Sequence, residues 1–422
     1  MSSEGLIFVE RAAGLLHANG QTTERTVQQI TRLAKAYGYQ LSALPQWDFI
    51  LLRFKPLDPK GEPWITAEID TKPVSIDMNK VARLNQWIDQ ICEDPHRQLE
   101  NHLNTARMRL DEISAALPSS NPKFVLMSGL GAAALAIIFG ISAWPILGLI
   151  FLIAAIGAIA RRAIAGFTHN LFMQPFVAAL ITGSAGGLLG GHVPDGSLLF
   201  IELAPCMILV PGAHMLNGSI DVFRGRLTLG TARLVYSGII LLSICTGLLL
   251  GLALTGDSLA TYTTAGGLNI LALDLLAAGI AAASFGIFFS LRWSMLIVPV
   301  SVAVSCHAVR WWVLSQGGHV IEGALIACLI AGALMTFFSH RLKIPFAALA
   351  FTSVVSMMPG IFIFKFSNGL LGMYNSGTAS TLALFNNTYH NGMTALLIVA
   401  AMTFGLLFPK LIIECIVAKE PR

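Results

Sequence analysis

From Phe124 to Ala160 the chain runs for 37 residues without a charged side chain. As one helix this stretch would be roughly 55 Å long, against about 30 Å of bilayer hydrocarbon. The sequence SAWP, Ser142–Pro145, divides it, and proline ends or kinks a helix. The spacing therefore predicts a tight hairpin of two membrane spans. Eight more apolar runs follow, near 171–191, 197–211, 234–254, 270–290, 294–309, 323–338, 345–364 and 391–408. Composition agrees: 55% of residues are hydrophobic and 12% charged, where soluble domains carry about 25% charge.

The charge is unevenly spread. Residues 1–122 hold 13 Lys+Arg and 15 Asp+Glu, whereas residues 123–422 hold 14 and 8. This split predicts a soluble N-terminal α+β domain over 1–122, followed by the membrane region. Two helices are expected over 5–38, with Thr22 or Thr23 as a cap, and strands in LSALPQWDFILLRF and PWITAEIDT. Helical spacing returns over 78–93 and 95–116, and PSSNP (Pro118–Pro122) reads as a linker. The N-terminus has no basic segment leading into an apolar one, so a secretory signal is not expected and the domain is placed in the cytoplasm. An enzyme would need a nucleophile or base constellation there. His17, Thr22, Thr23, Glu24, Asp70 and Asp77 are available, but no motif links them, and phosphate-loop, dinucleotide and metal-ligand spacings are missing. The six cysteines are scattered and form no CxxC pair. The expectation is no enzyme, no cofactor, no metal site and no nucleic-acid partner.

Ten spans return the C-terminus to the side of the N-terminus. Inside segments then carry Lys123, Arg161, Arg162, Arg224, Arg226, Arg233, Arg292, Arg341, Lys343, Lys410, Lys419 and Arg422, and outside segments only Arg310 and Lys365. That asymmetry fits the positive-inside rule with both termini cytoplasmic. The outside loop Thr255–Gly267 has no base.

Two apolar runs break at Pro-Gly: CMILVPGAHMLN at Pro211-Gly212 and SVVSMMPGIFIF at Pro359-Gly360. Superposing the breaks sets an offset of 148, which also places Phe124–Ile141 over 272–289, Arg162 over Arg310, Ala185 over Ala333 and His192 over His340. Each half then holds five spans, over 123–267 and 268–422. An odd number inserts the second copy upside down, so the fold class expected is a polytopic α-helical membrane protein of two inverted five-helix repeats, the architecture of many secondary transporters. Proline removes a backbone donor and glycine accepts unusual conformations. Broken backbone is tolerated at membrane depth only against protein or a water-filled cavity. Pro211, Gly212, His214, Asn217, Pro359, Gly360 and Lys365 are thus the candidate substrate-binding residues. Glu202, inside a span, and Asp221, one helical turn from Asn217, are candidates for proton coupling. Lys365 either meets a substrate carboxylate or snorkels outward, Asp274 reads as a helix cap, and His307 as a hydrogen-bonded structural histidine or a proton relay.

GLLHANGQTTERTVQQITRLAKAYG (Gly14–Gly38), ILVPGAHMLNGSIDVFRG (Ile208–Gly225) and MMPG (Met357–Gly360) resemble the bacterial threonine/serine exporter family. The first half with its soluble domain looks like the larger module of that family and the second half like the smaller. The resemblance implies a bacterial inner-membrane protein exporting small hydrophilic amino acids by proton antiport. Some relatives with split chains are associated instead with dicarboxylates such as succinate. A passive channel, or a membrane-bound enzyme using the N-terminal domain, are the other classes. Expected partners are a small-molecule substrate, protons and the lipid bilayer, with a homo-oligomer left open.

Overall fold

The computed structural model describes residues 3–57, 63–93, 103–168, 170–190, 192–193, 195–256 and 270–419. Most of the loop Thr255–Gly267, the first half of the helix expected over 95–116, the division at 267/268, and Arg422 lie outside the described residues.

The N-terminal part is α+β. Helices α1 (Ser3–Ala18) and α2 (Thr23–Ala36) precede strands β1 (Tyr39–Pro45), β2 (Phe49–Pro56) and β3 (Ile65–Asp70), then α3 (Met78–Glu93) and α4 (Leu103–Ala115). The strands form an antiparallel sheet in the order β1-β2-β3, with Tyr39 opposite Pro56 and Phe49 opposite Asp70. LSALPQWDFILLRF, expected as one strand region, turns back on itself: the Gln46 amide donates to the Phe49 carbonyl at 2.8 Å. Alternation along β2 sends Ile50, Leu52 and Phe54 inward. They meet Phe8, Ala12, Leu16, Ile30, Leu33 and Trp87 in a core of this module's own.

Among the described residues, ten helices or broken helix pairs follow. In the first series α5 (Asn121–Ile138), α6 (Trp144–Phe167) and α7 (Met173–Leu189) lead to the pair α8 (Asp195–Met207) and α9 (Gly212–Phe223), then α10 (Leu227–Leu254). In the second, α11 (Leu271–Phe288), α12 (Ile297–Ser315) and α13 (Val320–Leu342) lead to α14 (Phe346–Val354) and α15 (Gly360–Ser376), then α16 (Leu382–Lys419). Among the described residues seven helices are long and apolar enough to cross a membrane, and each bent pair counted as one span brings the number to nine. The remaining member, α7, is apolar but only 17 residues long. The SAWP division stands between α5 and α6, and the expected linker is already half helical, because α5 starts at Asn121.

Neighbour relations recur between the series. α5 packs on α6 and α11 on α12; α7 packs on α10 and α13 on α16. The last two seams are built alike, by glycines that let backbones touch. A Cβ on Gly183 of α7 would stand 2.2 Å from the Leu248 carbonyl oxygen of α10, and one on Gly332 of α13 would stand 2.7 Å from that of Leu406 on α16.

The runs expected to end at Pro211 and Phe364 do not end there. After Pro211 the chain resumes helix for another 12 residues, and after Pro359 for another 17. Both prolines stand at helix N-caps, with ψ of 48° and 29°. Proline has no N–H to continue the preceding helix, so the axes bend by 58° and 68° within what is otherwise one span.

Candidate functional site

The two breaks pack against each other. A Cβ on Gly212 would lie 1.8 Å from the Phe351 ring of α14, and one on Gly360 would lie 3.1 Å from Met207 of α8. Each second half-helix therefore starts against the first half of the other broken span. The surroundings are apolar. Gly212, Met215, Leu216, Phe351, Met358 and Met402 are among the residues lining a cavity of about 30 Å³, room for a water or two and not for an amino acid. The breaks meet, but they gather methionine and phenylalanine rather than polar side chains.

The polar candidates lie further along α9. Asn217 and Asp221 share a face, both buried, and both are held by the N-terminal module. Asn217 Nδ2 donates to the Gly20 carbonyl at 3.1 Å, and the Thr23 hydroxyl donates to Asp221 Oδ2 at 2.9 Å. The segment NGQTT between α1 and α2 thus sits directly on α9. Thr22 is the N-cap of α2, yet its side chain makes no cap bond. It is the Thr23 hydroxyl that is used, on the carboxylate. The positive end of α2 faces Asp221 with it.

Two arginines flank Asp221. Arg233 Nη1 stands 3.4 Å from Oδ2 and Arg226 Nη1 3.6 Å from Oδ1. Arg233 is 2% exposed. His214 lies edge-on to Tyr236 at 5.5 Å, and Tyr236 also meets Trp47 of the module at 5.1 Å. His17 is buried, its Nε2 3.1 Å from the Gln46 carbonyl. Burial, and then the charge of Arg233, push its imidazole from 6.5 down to about 3, so it is neutral at physiological pH.

Glu202 and Lys365 stand apart from this cluster. Glu202 is fully buried on α8, on the other arm of the bend, where a Cβ on Gly186 would stand 2.5 Å from its Cγ. Lys365 is half-buried, little more than one turn into α15. Asp274, expected as a cap, is instead buried and bonded by His307 Nδ1 at 2.6 Å. His307 is correspondingly a hydrogen-bonded buried histidine, with Arg310 one turn further along α12.

The module is also tied down around this point. Arg224 bridges Glu24 of α2 and Glu414 of α16, and Lys410 pairs with Glu414. Lys343 ends α13 at a φ of +58°, a region non-glycine residues seldom adopt. There its carbonyl accepts from Asn85 at 2.8 Å and its ammonium reaches Asp89 at 2.5 Å. Asp89 lies below the ordinary carboxylate range: burial pushes it up, but Lys343 and Arg32 more than offset that.

Sequence reasoning missed Arg233, Arg226 and the docking role of Gly20 and Thr23. Both arginines are plain in the sequence, where they count only as positive-inside markers. The signal that could have found Arg233 is its place seven residues into an apolar helix, deeper than a flanking anchor needs to be.

The family described as "Putative threonine/serine exporter" matches residues 7–255, and that described as "Threonine/Serine exporter, ThrE" matches residues 274–412. The chain belongs to the threonine/serine exporter family. The first match takes in the N-terminal module and the series through α10, and the second takes in the series from α11, so both modules of the family are fused in one chain. The family is one of exporters rather than enzymes. An uncharacterized protein of Haemophilus influenzae is 25% identical over 139 residues, which is 33% of this chain and 46% of that protein. The chain thus spans about half the length of that relative. No solved structure matches.

Proposed function

We propose that this member of the threonine/serine exporter family is a secondary transporter exporting small hydrophilic amino acids of the threonine and serine type, by proton antiport. The observation that carries the reading is the pair of broken helices, at corresponding places in two five-helix series, with their Pro-Gly breaks packed on each other. Discontinuous helices crossing at repeat interfaces are where transporters hold their solute. On this reading α7 is the tenth span and the two series insert in opposite senses. The N-terminal module then caps the cytoplasmic mouth, with both termini on that side of the inner membrane. The bases counted as inside support it: Arg224, Arg292, Lys343 and Arg162 all contact the module or the segment leading from it.

The division into 1–122, 123–267 and 268–422 belongs to the same proposal. Substrate passes the apolar junction at Pro211, Gly212, Pro359 and Gly360 when the two series rock apart, and His214, Asn217 and Lys365 supply polar contacts along the path. Asp221 or Glu202 carries the coupled proton.

Proteoliposomes loaded with threonine test this. With the lumen standing for the cytoplasm, an imposed proton gradient directed into it should drive threonine out uphill. Asp221→Asn or Glu202→Gln should slow that movement at least about tenfold, the scale of one lost charged hydrogen bond. Efflux that only follows the threonine gradient means a pore. Undiminished efflux in both variants removes both carboxylates from coupling.

A further inference from the structure

The cluster around Asp221 has one positive charge too many. Arg226 and Arg233 share a single carboxylate, at 3.6 and 3.4 Å, and the neighbouring His17 is neutral. Arg226 is about a third exposed and can be balanced by solvent, but Arg233 is not. A buried charge is costly unless it is paired and hydrogen-bonded. Arg233 meets Asp221 with Nη1 alone, and its Nε and Nη2 make no hydrogen bond to the protein. Two acceptors in the same cluster also make no hydrogen bond: Asn217 Oδ1, and Asp221 Oδ1, which has only the ion pair to Arg226 at 3.6 Å.

We propose that Arg233, buried where α9 and α10 meet the NGQTT segment, is the carboxylate anchor for the transported solute. The Nε and Nη2 donors of a guanidinium form a planar fork that fits the two oxygens of a carboxylate. The acceptors on Asp221 and Asn217 suit an ammonium group. Together the unused groups are complementary to a small zwitterion, an α-amino acid. Gly20 and Thr23 bond the other polar atoms of Asn217 and Asp221, so on this proposal solute reaches or leaves the group from the cytoplasmic side only when the NGQTT segment moves off α9. This rests on the transport reading above and names its binding group, a residue the Pro-Gly breaks did not point to.

The test is binding to the full-length protein in detergent, read as the shift of the thermal unfolding midpoint with L-threonine, with threoninol, which lacks the carboxylate, and with chloride at equal concentration. The wild type should be stabilised by threonine and not by threoninol or chloride. Arg233→Lys keeps the charge beside Asp221 but removes the fork, and should weaken threonine binding at least about tenfold. Should that variant fold poorly, the paired replacement Arg233→Met with Asp221→Leu leaves no buried charge behind and should likewise lose binding. Unchanged threonine affinity in either variant, or equal stabilisation by chloride or threoninol, overturns the assignment. Succinate in place of threonine identifies a dicarboxylate as the source of the carboxylate if it alone binds in an Arg233-dependent way. The two readings fail separately. Arg233-dependent binding without threonine movement sinks transport only, and proton-driven efflux that persists in Arg233→Lys sinks the anchor only.

Discussion

At Gly212 the Cβ of any other residue would stand 1.8 Å from Phe351 Cε2, whereas at Gly360 it would meet the Met207 side chain at 3.1 Å. An aromatic ring packed among Phe285 and Phe289 cannot step aside, but a methionine can bend. The two breaks look equivalent in the sequence and should respond unequally. Gly212→Ala is expected to destabilise by about 1–3 kcal/mol, the cost of overpacking, and Gly360→Ala by less, measured as thermal midpoints in detergent. Equal losses would mean that Gly212 is needed for its backbone rather than for the contact. The same scale explains why the candidate site was only half legible. Asn217 and Asp221 could be found because helical spacing places them on one face. Their partners Gly20 and Thr23 lie almost 200 positions away in the chain, and no local pattern reaches that far.

Among the helices, the recurring seams α7–α10 and α13–α16 are where backbone meets backbone. A Cβ on Gly183 would stand 2.2 Å from the Leu248 carbonyl oxygen, so nothing larger than hydrogen fits there, and a carbonyl on a helix cannot rotate away. Gly183→Ala should therefore force α7 and α10 apart and lower the thermal midpoint. Gly148→Ala on α6, where no atom stands within 4 Å of the added carbon, should leave it unchanged. A midpoint unmoved by Gly183→Ala would place the seam's stability elsewhere. Element identity was readable from apolar run length and from Pro and Gly. What misled was the polarity after Pro211. His214, Asn217 and Asp221 looked like the end of a span because polar residues usually mark water. Here protein covers them, and the helix continues.

The whole molecule is a helical membrane protein whose N-terminal α+β module is tied to the helices by Glu24, Asn85 and Asp89. His17 lies under that clamp. Its folded value of about 3 is below its ordinary 6.5, so a state in which His17 is released binds more protons between those values. Stability of the docked arrangement is full above about 6.5 and falls as the pH drops towards 3. Asp89 acts in the same direction at lower pH, since its depressed value means that its contribution is present above the ordinary carboxylate range and lost on acidification. Hydrogen exchange of α2 should accordingly rise as the pH is lowered from 7 to 5, after correction for intrinsic rates, and His17→Asn should flatten the change. A protection pattern independent of pH would remove His17 from the clamp. Composition and run length by themselves determined a membrane protein with a charge-rich N-terminal segment and two Pro-Gly breaks, because burying apolar helices and breaking them at proline are properties of local sequence. Tertiary structure alone decided that the breaks face each other across an apolar junction, and that Arg233 lies buried beside Asp221 beneath the module. Those facts depend on which distant surfaces meet, and on how many opposite charges a buried arginine finds when they do.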